Sequence, residues 1–225
     1  MRYSLVVFDW DGTVIDSTQS IVQAIQSACR DLGLAVPPAA QARWVIGLSL
    51  ESALYKVVPT LTAEQLPEFI QRYKFHYFTR DPDLCLFDGM TTLFDELRDN
   101  GVMLAVATGK SRVGLNRVLE QKKLGHYFAA TRTADETFSK PHPQMLNELM
   151  ETLAVPAEET VMIGDTSHDI LMAHNAGVES IAVTYGAHSL RELNESKPTR
   201  IVDDVTGLAD LLQMHCKTNA NQAFS

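Results

Sequence analysis

Short apolar runs alternate with longer amphipathic stretches along most of this chain, and this alternation constrains the fold more than any other feature. The apolar runs have the length of buried strands, and the stretches between them repeat apolar residues at helical spacing. Such alternation is typical of a parallel sheet covered by helices with right-handed crossovers. The sequence therefore predicts an α/β protein with a doubly wound parallel sheet. The predicted strands are Leu5–Phe8, Met103–Ala107, Tyr127–Thr131, Val161–Ile163, Ser180–Val183 and Arg200–Val202.

Helical periodicity fills most of the intervals between these strands. Gly101, Gly125 and Gly177 are predicted to lie just past helix ends, where a left-handed residue is favoured. The helices predicted around the later strands are Thr91–Asp99, Arg112–Lys122, Pro143–Leu153, Ile170–Asn175 and Val205–Met214.

The long interval between the first two strands interrupts this rhythm and is mostly helical in pattern. Asp16-Ser17-Thr18 offers N-cap side chains for a helix that runs to about Leu32, and Gly33 is expected to end it. A second helix is predicted from Ala63 to about Thr79, after a cap at Thr62.

These patterns predict three parts of the chain. Residues 1–16 and 84–214 form a Rossmann-like core, and residues 17–83 form a helical cap inserted after the first strand, with Pro82 and Gly89 at its close. The alternative is a thick helical layer on the same core. Residues 215–225 are polar and lack periodicity, which predicts a disordered tail.

Composition excludes some classes of function. A formal net charge of −9 argues against a nucleic-acid binder, which needs a basic face. The first apolar run is too short for a signal peptide or a membrane span, so no membrane partner is expected. The three cysteines show no metal-binding spacing, and we predict free thiols in the cytoplasm.

Two acidic residues follow the first predicted strand in the segment Asp9-Trp10-Asp11-Gly12-Thr13. The carboxyl ends of strands in a doubly wound sheet border the ligand crevice. Residues two apart on an extended chain point the same way, so Asp9 and Asp11 are both predicted to face the crevice and Trp10 to face the core. Gly12 would allow a sharp turn close to a bound group. The alternative is ordinary turn chemistry, in which Asp and Gly are common.

A second acidic pair follows the strand Val161–Ile163. Asp165 lies at its carboxyl end, and Asp169 lies in the first turn of the next helix, where it is either a helix cap or a second acid in the crevice. Four carboxylates in one crevice repel one another, and a hard divalent cation resolves that repulsion. Mg²⁺ suits such a site best.

Thr108 and Lys140 are the other candidates. Thr108 follows the second strand, and Gly109-Lys110-Ser111 is expected to open a helix, so a hydroxyl and free amides could bind an anion there. An ordinary Thr or Ser cap explains this local sequence equally well. Lys140 precedes two prolines that stiffen the entry to the next helix, although a lysine in such a place is usually only solvated.

Taken together, these motifs resemble those of the haloacid dehalogenase-like superfamily. The matching elements, in order and spacing, are Asp9-x-Asp11-Gly12-Thr13, Thr108, Lys140-Pro141 and Gly164-Asp165-x-x-x-Asp169. The insertion after the first motif resembles the helical cap of the phosphoglycolate phosphatase-like branch. Trp10 in place of an aliphatic residue and Gly109 in place of a frequent Asn are departures from the usual pattern.

The resemblance implies a Mg²⁺-dependent phosphatase acting on a small phosphorylated metabolite. Asp9 would attack phosphorus to form an aspartyl-phosphate, and Asp11 would act as the acid and base. Mg²⁺ would be held by Asp9, the Asp11 backbone carbonyl and Asp165, with Asp169 in support. Thr108, the Gly109 amide and Lys140 would bind the phosphoryl group. Within the cap, Arg43-Trp44-Val45-Ile46-Gly47 is a candidate substrate-facing loop, although Arg43 is equally well explained as structural.

Three alternatives remain open from the sequence. A phosphomutase or pyrophosphatase could use the same scaffold. A phospho-accepting signalling module also gathers Asp, Thr and Lys at a sheet edge, but such modules lack the inserted helices and carry the acceptor on a later strand. A binding protein without catalysis is a further possibility. The choice between monomer and homodimer is left open.

Overall fold

A six-stranded parallel sheet lies at the centre of the computed structural model, which describes residues 3–80 and 84–216. The strands are β1 Leu5–Phe8, β2 Met103–Thr108, β3 Phe128–Thr133, β4 Thr160–Gly164, β5 Glu179–Val183 and β6 Arg200–Val202. Their spatial order is β3-β2-β1-β4-β5-β6. The predicted fold class, a doubly wound parallel α/β sheet, is confirmed.

Helices cover this sheet and fill the long interval after β1. Those in the interval are α1 Thr18–Asp31, α2 Ala39–Trp44, α3 Leu50–Val57 and α4 Leu66–Arg80. The remaining helices are α5 Met90–Asp99, α6 Arg112–Gln121, α7 Gln144–Leu153, α8 Ser167–Ala176, α9 Leu190–Glu195 and α10 Val205–Cys216.

The strand order reverses direction between β1 and β4, which are hydrogen-bonded neighbours at the middle of the sheet. From β1 the chain builds outward to β2 and β3 on one side, and from β4 to β5 and β6 on the other. The helices that follow β1 and β4 therefore leave a crevice beyond their carboxyl ends, where ligands bind in folds of this kind. Asp9 and Asp165, the residues after β1 and β4, border this crevice.

Burial on both faces explains why β1 is a continuous apolar run. All four of its residues are buried, with Val6 and Phe8 facing one hydrophobic cluster and Leu5 and Val7 facing another. The Phe8 ring packs edge-on against Phe94, with ring centroids 5.3 Å apart. As predicted, Trp10 is directed into the core, where it is fully buried.

The long elements agree with the sequence prediction, and the short ones account for the differences. Helices α2, α3 and α9, of six, eight and six residues, were not predicted from periodicity, which has little signal over so few turns. Helix α4 begins at Leu66 and not at Ala63. Thr62 and Gln65 instead bond each other across a preceding turn, with the Gln65 amide donating to the Thr62 hydroxyl.

Glycines end helices at most of the predicted positions. Gly33, Gly101 and Gly177 have φ of +64°, +75° and +69°, in the left-handed region. The prediction for Gly125 was wrong, because Lys123 takes the left-handed conformation after α6, with φ +57°, and Gly125 instead begins a short 3₁₀ turn.

Residues 18–80, which we call the helical segment, contain α1 to α4. Helix α1 packs against α2 and α4, and buried residues such as Leu54 and Phe69 belong to the same hydrophobic cluster as Phe8 of the sheet. The predicted division into a core and a cap at residues 17–83 stays a prediction. Pro82 and most of the predicted tail lie outside the described residues. Within the described ranges, no helix has both the length and the apolar character needed to span a membrane.

Candidate active site

Three buried carboxylates meet at the crevice between β1 and β4. Oxygen atoms of Asp9, Asp165 and Asp169 lie within 4.8 Å of one another, and each of these residues is at most 1% exposed. Asp9 extends the sheet by one further bond, because its amide donates to the Ile163 carbonyl at 2.9 Å. Two adjacent parallel strands and the first turn of α8 thus bring the three acids together, as the strand-end argument predicted for Asp9 and Asp165.

The Lys140 ammonium lies between two of these carboxylates. Its Nζ is 2.6 Å from Asp9 Oδ1 and 2.6 Å from Asp169 Oδ1, and the lysine side chain is fully buried. Burial by itself lowers the pKa of an ammonium group, but the charges of Asp169 and Asp9 outweigh it and hold the pKa of Lys140 above its usual range. Lys140 is therefore a fixed positive charge within the acidic cluster.

Asp165 is held by donors on both of its oxygens. The Thr13 hydroxyl donates to Oδ1 at 2.7 Å and the Ala187 amide donates to Oδ2 at 2.6 Å. Burial, followed by the charge of Asp169, raises the pKa of Asp165 to about 7. Gly12 approaches this carboxylate so closely that a Cβ there would lie 2.2 Å from Asp165 Oδ2, and its φ of +84° also favours glycine. The predicted sharp turn at Gly12 is therefore part of the site.

Asp169 serves both purposes that the sequence left open. Its Oδ2 accepts from the Thr166 amide at 3.1 Å and the Thr166 hydroxyl at 2.6 Å, and its own amide donates back to Thr166, which completes a capping box at the start of α8. Its Oδ1 faces Lys140 and the acidic cluster. One carboxylate thus caps a helix and contributes to the site.

The charge of the cluster fits a divalent cation. Asp9 Oδ2 is buried and has no hydrogen-bond partner among the described residues. Burial, opposed by Lys140 and reinforced by Asp169 and Asp165, raises the pKa of Asp9 well above its usual range. Three carboxylates and one ammonium leave an excess of buried negative charge, which a hard cation with oxygen ligands would neutralise.

The Asp11 carboxylate is not one of the three clustered acids, although it borders the crevice as the sequence predicts. Strand β1 ends at Phe8, and the amides of residues 13–15 donate to the Trp10 carbonyl in the turn that follows. Asp11 Oδ1 instead accepts from the Ser17 hydroxyl at 2.6 Å, and Oδ2 lies 3.0 Å from Lys110 Nζ. Asp9 and Asp11 nevertheless line the same cavity.

Thr108 and Gly109 lie at the end of β2, beside the acidic cluster. Thr108 is 1% exposed, and its oxygen accepts from the Lys110 amide at 3.2 Å, so its hydroxyl hydrogen can be donated to a bound anion. Helix α6 begins at Arg112, with Ser111 as its N-cap, so Gly109 lies before the helix and not in its first turn.

The helical segment closes over these residues through its own backbone. A Cβ on Gly109 would lie 2.4 Å from the Leu48 carbonyl oxygen and 2.6 Å from that of Gly47, so only glycine fits this approach. The Ser49 amide donates to the Ser139 hydroxyl at 2.9 Å, one residue before Lys140. A cavity of about 390 Å³ remains between the segment and the carboxyl ends of β1 and β2.

A second contact joins α2 to the region around α8. The Trp44 carbonyl oxygen is 3.0 Å from Nε2 of His168 and 3.0 Å from Nε2 of His188. The Ser167 amide donates to His188 Nδ1, which places the His188 proton on Nε2, where it is donated to Trp44. Burial lowers the pKa of His168. Two side chains thus fix one carbonyl of the helical segment.

Arg43 does not line the 390 Å³ cavity. It lies in α2 and borders a separate surface cavity beside Ser189 and Arg191, whereas the neighbouring residues 45–48 line the cavity above Asp9. Only the second half of the predicted substrate-facing loop is therefore near the acidic cluster.

Comparison with known proteins identifies the family to which this chain belongs. Residues 6–183 match the family model described as haloacid dehalogenase-like hydrolase. The chain is 36% identical over 217 residues to "Probable phosphatase IndB" of Dickeya dadantii, covering 92% of this chain and 94% of that one. It is 31% identical over 218 residues to a phosphoglycolate phosphatase of Vibrio cholerae, covering 92% and 96%. A solved predicted phosphatase from Clostridium acetobutylicum superposes with a TM-score of 0.84 at 27% identity, covering 95% and 100%.

This chain belongs to the haloacid dehalogenase-like hydrolase family, which confirms the resemblance seen in its motifs. The relatives are named phosphatases, in agreement with the predicted enzyme class of phosphoric monoester hydrolase. Membership of a hydrolase family argues against the signalling-module and binding-protein alternatives.

Several residues of the site were not among the predicted ones. Thr13, Ser17, Lys110 and the Ala187 amide each contact a carboxylate of Asp11 or Asp165. Thr13 lies inside the first motif and Lys110 lies two residues after Thr108, which was the available signal. The sequence predicts a helix-capping role for Ser17, but its side chain makes no capping hydrogen bond and instead donates to Asp11.

Replacing Lys140 by Met should destabilise the metal-free protein. The substitution leaves Asp9 and Asp169 without their buried counter-charge, and breaking such a pair costs about 3 kcal/mol or more of the free energy of unfolding. Without the lysine, the folded state tolerates the two buried carboxyl groups best when they are protonated. The loss in free energy of unfolding should therefore be larger at pH 8 than at pH 5. Urea denaturation in EDTA at both values measures this. The control is Lys122→Met at the half-buried C-cap of α6, and an equal loss in both variants would contradict the prediction.

Replacing Gly109 by Ala should impair catalysis through the helical segment. The new Cβ keeps the backbone amide but meets the carbonyl oxygens of Leu48 and Gly47, so the segment has to move away. We expect kcat/KM for p-nitrophenyl phosphate to fall at least about tenfold, because small displacements of a positioned group cost that much or more. Gly125→Ala is the control, since its Cβ would meet nothing within 4 Å. Wild-type kcat/KM in Gly109→Ala would rule out this close contact as a requirement.

Proposed function

We propose that this enzyme is a Mg²⁺-dependent phosphatase that hydrolyses a small phosphate monoester through an aspartyl-phosphate on Asp9. The observation that supports it most directly is the state of the Asp9 carboxylate. One oxygen is fixed by Lys140 at 2.6 Å, the other is buried without a hydrogen-bond partner among the described residues, and Asp9 lines the 390 Å³ cavity. A carboxylate held in this way can attack a phosphoryl group that enters the cavity.

The cation belongs to the cluster of Asp9, Asp165 and Asp169. Bound there with the Asp11 backbone carbonyl as a further ligand, Mg²⁺ would supply the positive charge that keeps Asp9 ionised and neutralises phosphoryl oxygens. Its preference for carboxylate oxygens matches this set of side chains.

The other residues of the site stabilise the charge of the phosphoryl group or transfer protons. Lys140, the Thr108 hydroxyl and the Gly109 amide neutralise the phosphoryl oxygens, since phosphoryl transfer depends mainly on positioning and charge stabilisation. Asp11 gives a proton to the leaving oxygen as the bond from phosphorus to that oxygen breaks. It then takes a proton from the water that attacks the aspartyl-phosphate, which releases phosphate and restores the Asp9 carboxylate.

We assign the role of a cap to residues 17–83, which include the helical segment. Its contacts at Gly109 and Ser139 cover the phosphoryl site, which would exclude bulk water during the reaction.

A phosphomutase on the same scaffold would pass the phosphoryl group to an acceptor, whereas the phosphatase transfers it to water and releases inorganic phosphate.

The nucleophile is tested by Asp9→Asn, with release of inorganic phosphate from p-nitrophenyl phosphate in Mg²⁺ as the measurement. We expect at least about a 1,000-fold loss of kcat, since removal of a covalent nucleophile abolishes the main route. Asp16→Asn, at an exposed acid close by in the chain, should keep wild-type activity. Inactive wild-type enzyme, or full activity in Asp9→Asn, would refute the proposal, and a strict need for an acceptor would favour the mutase.

The metal is tested by thermal unfolding with Mg²⁺ and with EDTA. At about 100 times its Kd, a ligand of the native state adds about 2.7 kcal/mol, which raises Tm by about 5–10 °C in a chain of this size. Asp165→Asn should abolish this increment, and EDTA should abolish activity.

The pH dependence follows from the raised pKa of Asp165. An unfolded carboxyl titrates near pH 3.9, whereas Asp165 titrates at about 7 in the metal-free fold, so the native state holds the extra proton between these values. The stability contribution of this group therefore falls as pH rises through that window. Mg²⁺ displaces the proton, so the increment in Tm should be larger at pH 8 than at pH 5.5. An increment that shrinks with rising pH would contradict this assignment.

A further inference from the structure

The cavity above Asp9 has two chemically different parts. Its floor carries polar groups at the ends of β1 and β2, including Asp9, Asp11 and Thr108. Its walls come largely from the helical segment and are apolar, and most of these side chains are buried. Among the apolar residues that line it are Ile21, Ile25, Val45, Ile46, Leu48 and Ile70. A phosphoryl group bound at the floor would direct its leaving group into these walls.

Lys110 is a cationic residue that lines the cavity and contacts Asp11 at its floor, and its ammonium is already engaged. Its Nζ lies 3.0 Å from Asp11 Oδ2, donates to the Tyr77 hydroxyl at 3.1 Å and lies 4.9 Å from the centre of the Tyr77 ring. A carboxylate on the leaving group would therefore compete with Asp11 for this ammonium.

The other charged residues that border the cavity are exposed or, like Lys110, are engaged with an aromatic ring. Glu51 and Lys74 are exposed, and so is Asp135, whose carboxylate accepts from the Arg112 amide at 2.9 Å. The Arg117 guanidinium lies over the Phe78 ring, 3.8 Å from its centre. Within the described residues, the wall above Asp9 is thus mostly aliphatic and aromatic, and its two partly buried cations, Lys110 and Arg117, are already engaged.

We propose that this pocket selects a phosphate monoester with an apolar leaving group, a branched aliphatic or aromatic alcohol, over one with an anionic leaving group such as phosphoglycolate. The inference rests on the proposed phosphatase function and specifies its substrate class. Burying a carboxylate against these walls costs free energy, because the nearby cations are already engaged. Burying each additional methylene group of an apolar leaving group instead favours binding. A volume of about 390 Å³ lies within the range of pockets that bind small organic molecules and exceeds what a glycolate fills.

The test is a series of alkyl phosphates compared with phosphoglycolate. Ethyl, 3-methylbutyl and 2-phenylethyl phosphate all release alcohols of similar acidity, so rate differences report on the pocket. We expect kcat/KM to rise about fourfold for each added buried methylene, which is ~0.8 kcal/mol. 2-Phenylethyl phosphate should therefore exceed phosphoglycolate by at least about tenfold.

A positive charge introduced into the wall gives the matched variant. Ile70 lines the cavity and is only half-buried, so Ile70→Lys places an ammonium in the wall without burying it deeply. The ratio of kcat/KM for 3-methylbutyl phosphate to that for phosphoglycolate should fall at least about tenfold. Inhibition by inorganic phosphate, which has no leaving group, should be unchanged in a folded variant. Phe75→Lys, on the same helix, 66% exposed and outside the cavity lining, should keep the wild-type ratio.

The outcomes separate the two proposals. Hydrolysis of p-nitrophenyl phosphate together with a preference for phosphoglycolate, or a flat alkyl series with an unchanged ratio in Ile70→Lys, overturns the substrate inference and leaves the phosphatase intact. Failure to hydrolyse any of these monoesters in Mg²⁺ overturns the proposed function itself. A rising series and a lowered ratio in Ile70→Lys support both.

Discussion

The buried ammonium of Lys140 connects the three elements on which the site depends. It reaches Asp9 at the end of β1 and Asp169 in the first turn of α8, both at 2.6 Å, and it comes from the chain just before α7. A buried ion pair contributes little net stability compared with apolar packing, because desolvation offsets most of the attraction. The ammonium holds one oxygen of Asp9 in place, and in the proposed function it also keeps positive charge where phosphoryl oxygens would bind.

The parallel sheet is the reason that these charges can be gathered at all. With β1 and β4 as neighbours at the point where strand order reverses, residues that are 156 positions apart follow adjacent strand ends. The position of Asp9 and Asp165 could therefore be predicted from two apolar runs and the rule that ligands bind beyond their carboxyl ends. Long strands and helices were equally predictable, because their periodicity extends over enough residues to be distinctive.

Features set by tertiary contact were not predictable in this way. The Asp11 carboxylate contacts Ser17 and Lys110 and is not one of the three clustered acids, and no periodic pattern encodes those contacts. Ser17 has the composition of a helix cap but donates to Asp11, and only the fold shows which acceptor it chooses. The short helix α2 likewise packs against α1, and α3 contributes buried residues to the hydrophobic cluster that contains Phe8 of the sheet, so packing decides where intrinsic preference is weak.

The same distinction separates the chemistry of this enzyme from its selectivity. All three clustered carboxylates and Lys140 come from strand ends and the segments beside them, where sequence motifs fix both identity and position. The walls of the cavity come from the helical segment, whose residues carry no motif and whose approach depends on backbone contacts, such as the Gly47 and Leu48 carbonyls against Gly109 and the Trp44 carbonyl between His168 and His188. If the two proposals hold, a substitution in those walls changes the preferred leaving group and leaves the phosphoryl site intact. The reaction class is therefore readable from this sequence, whereas the substrate class emerges only from the closed three-dimensional arrangement.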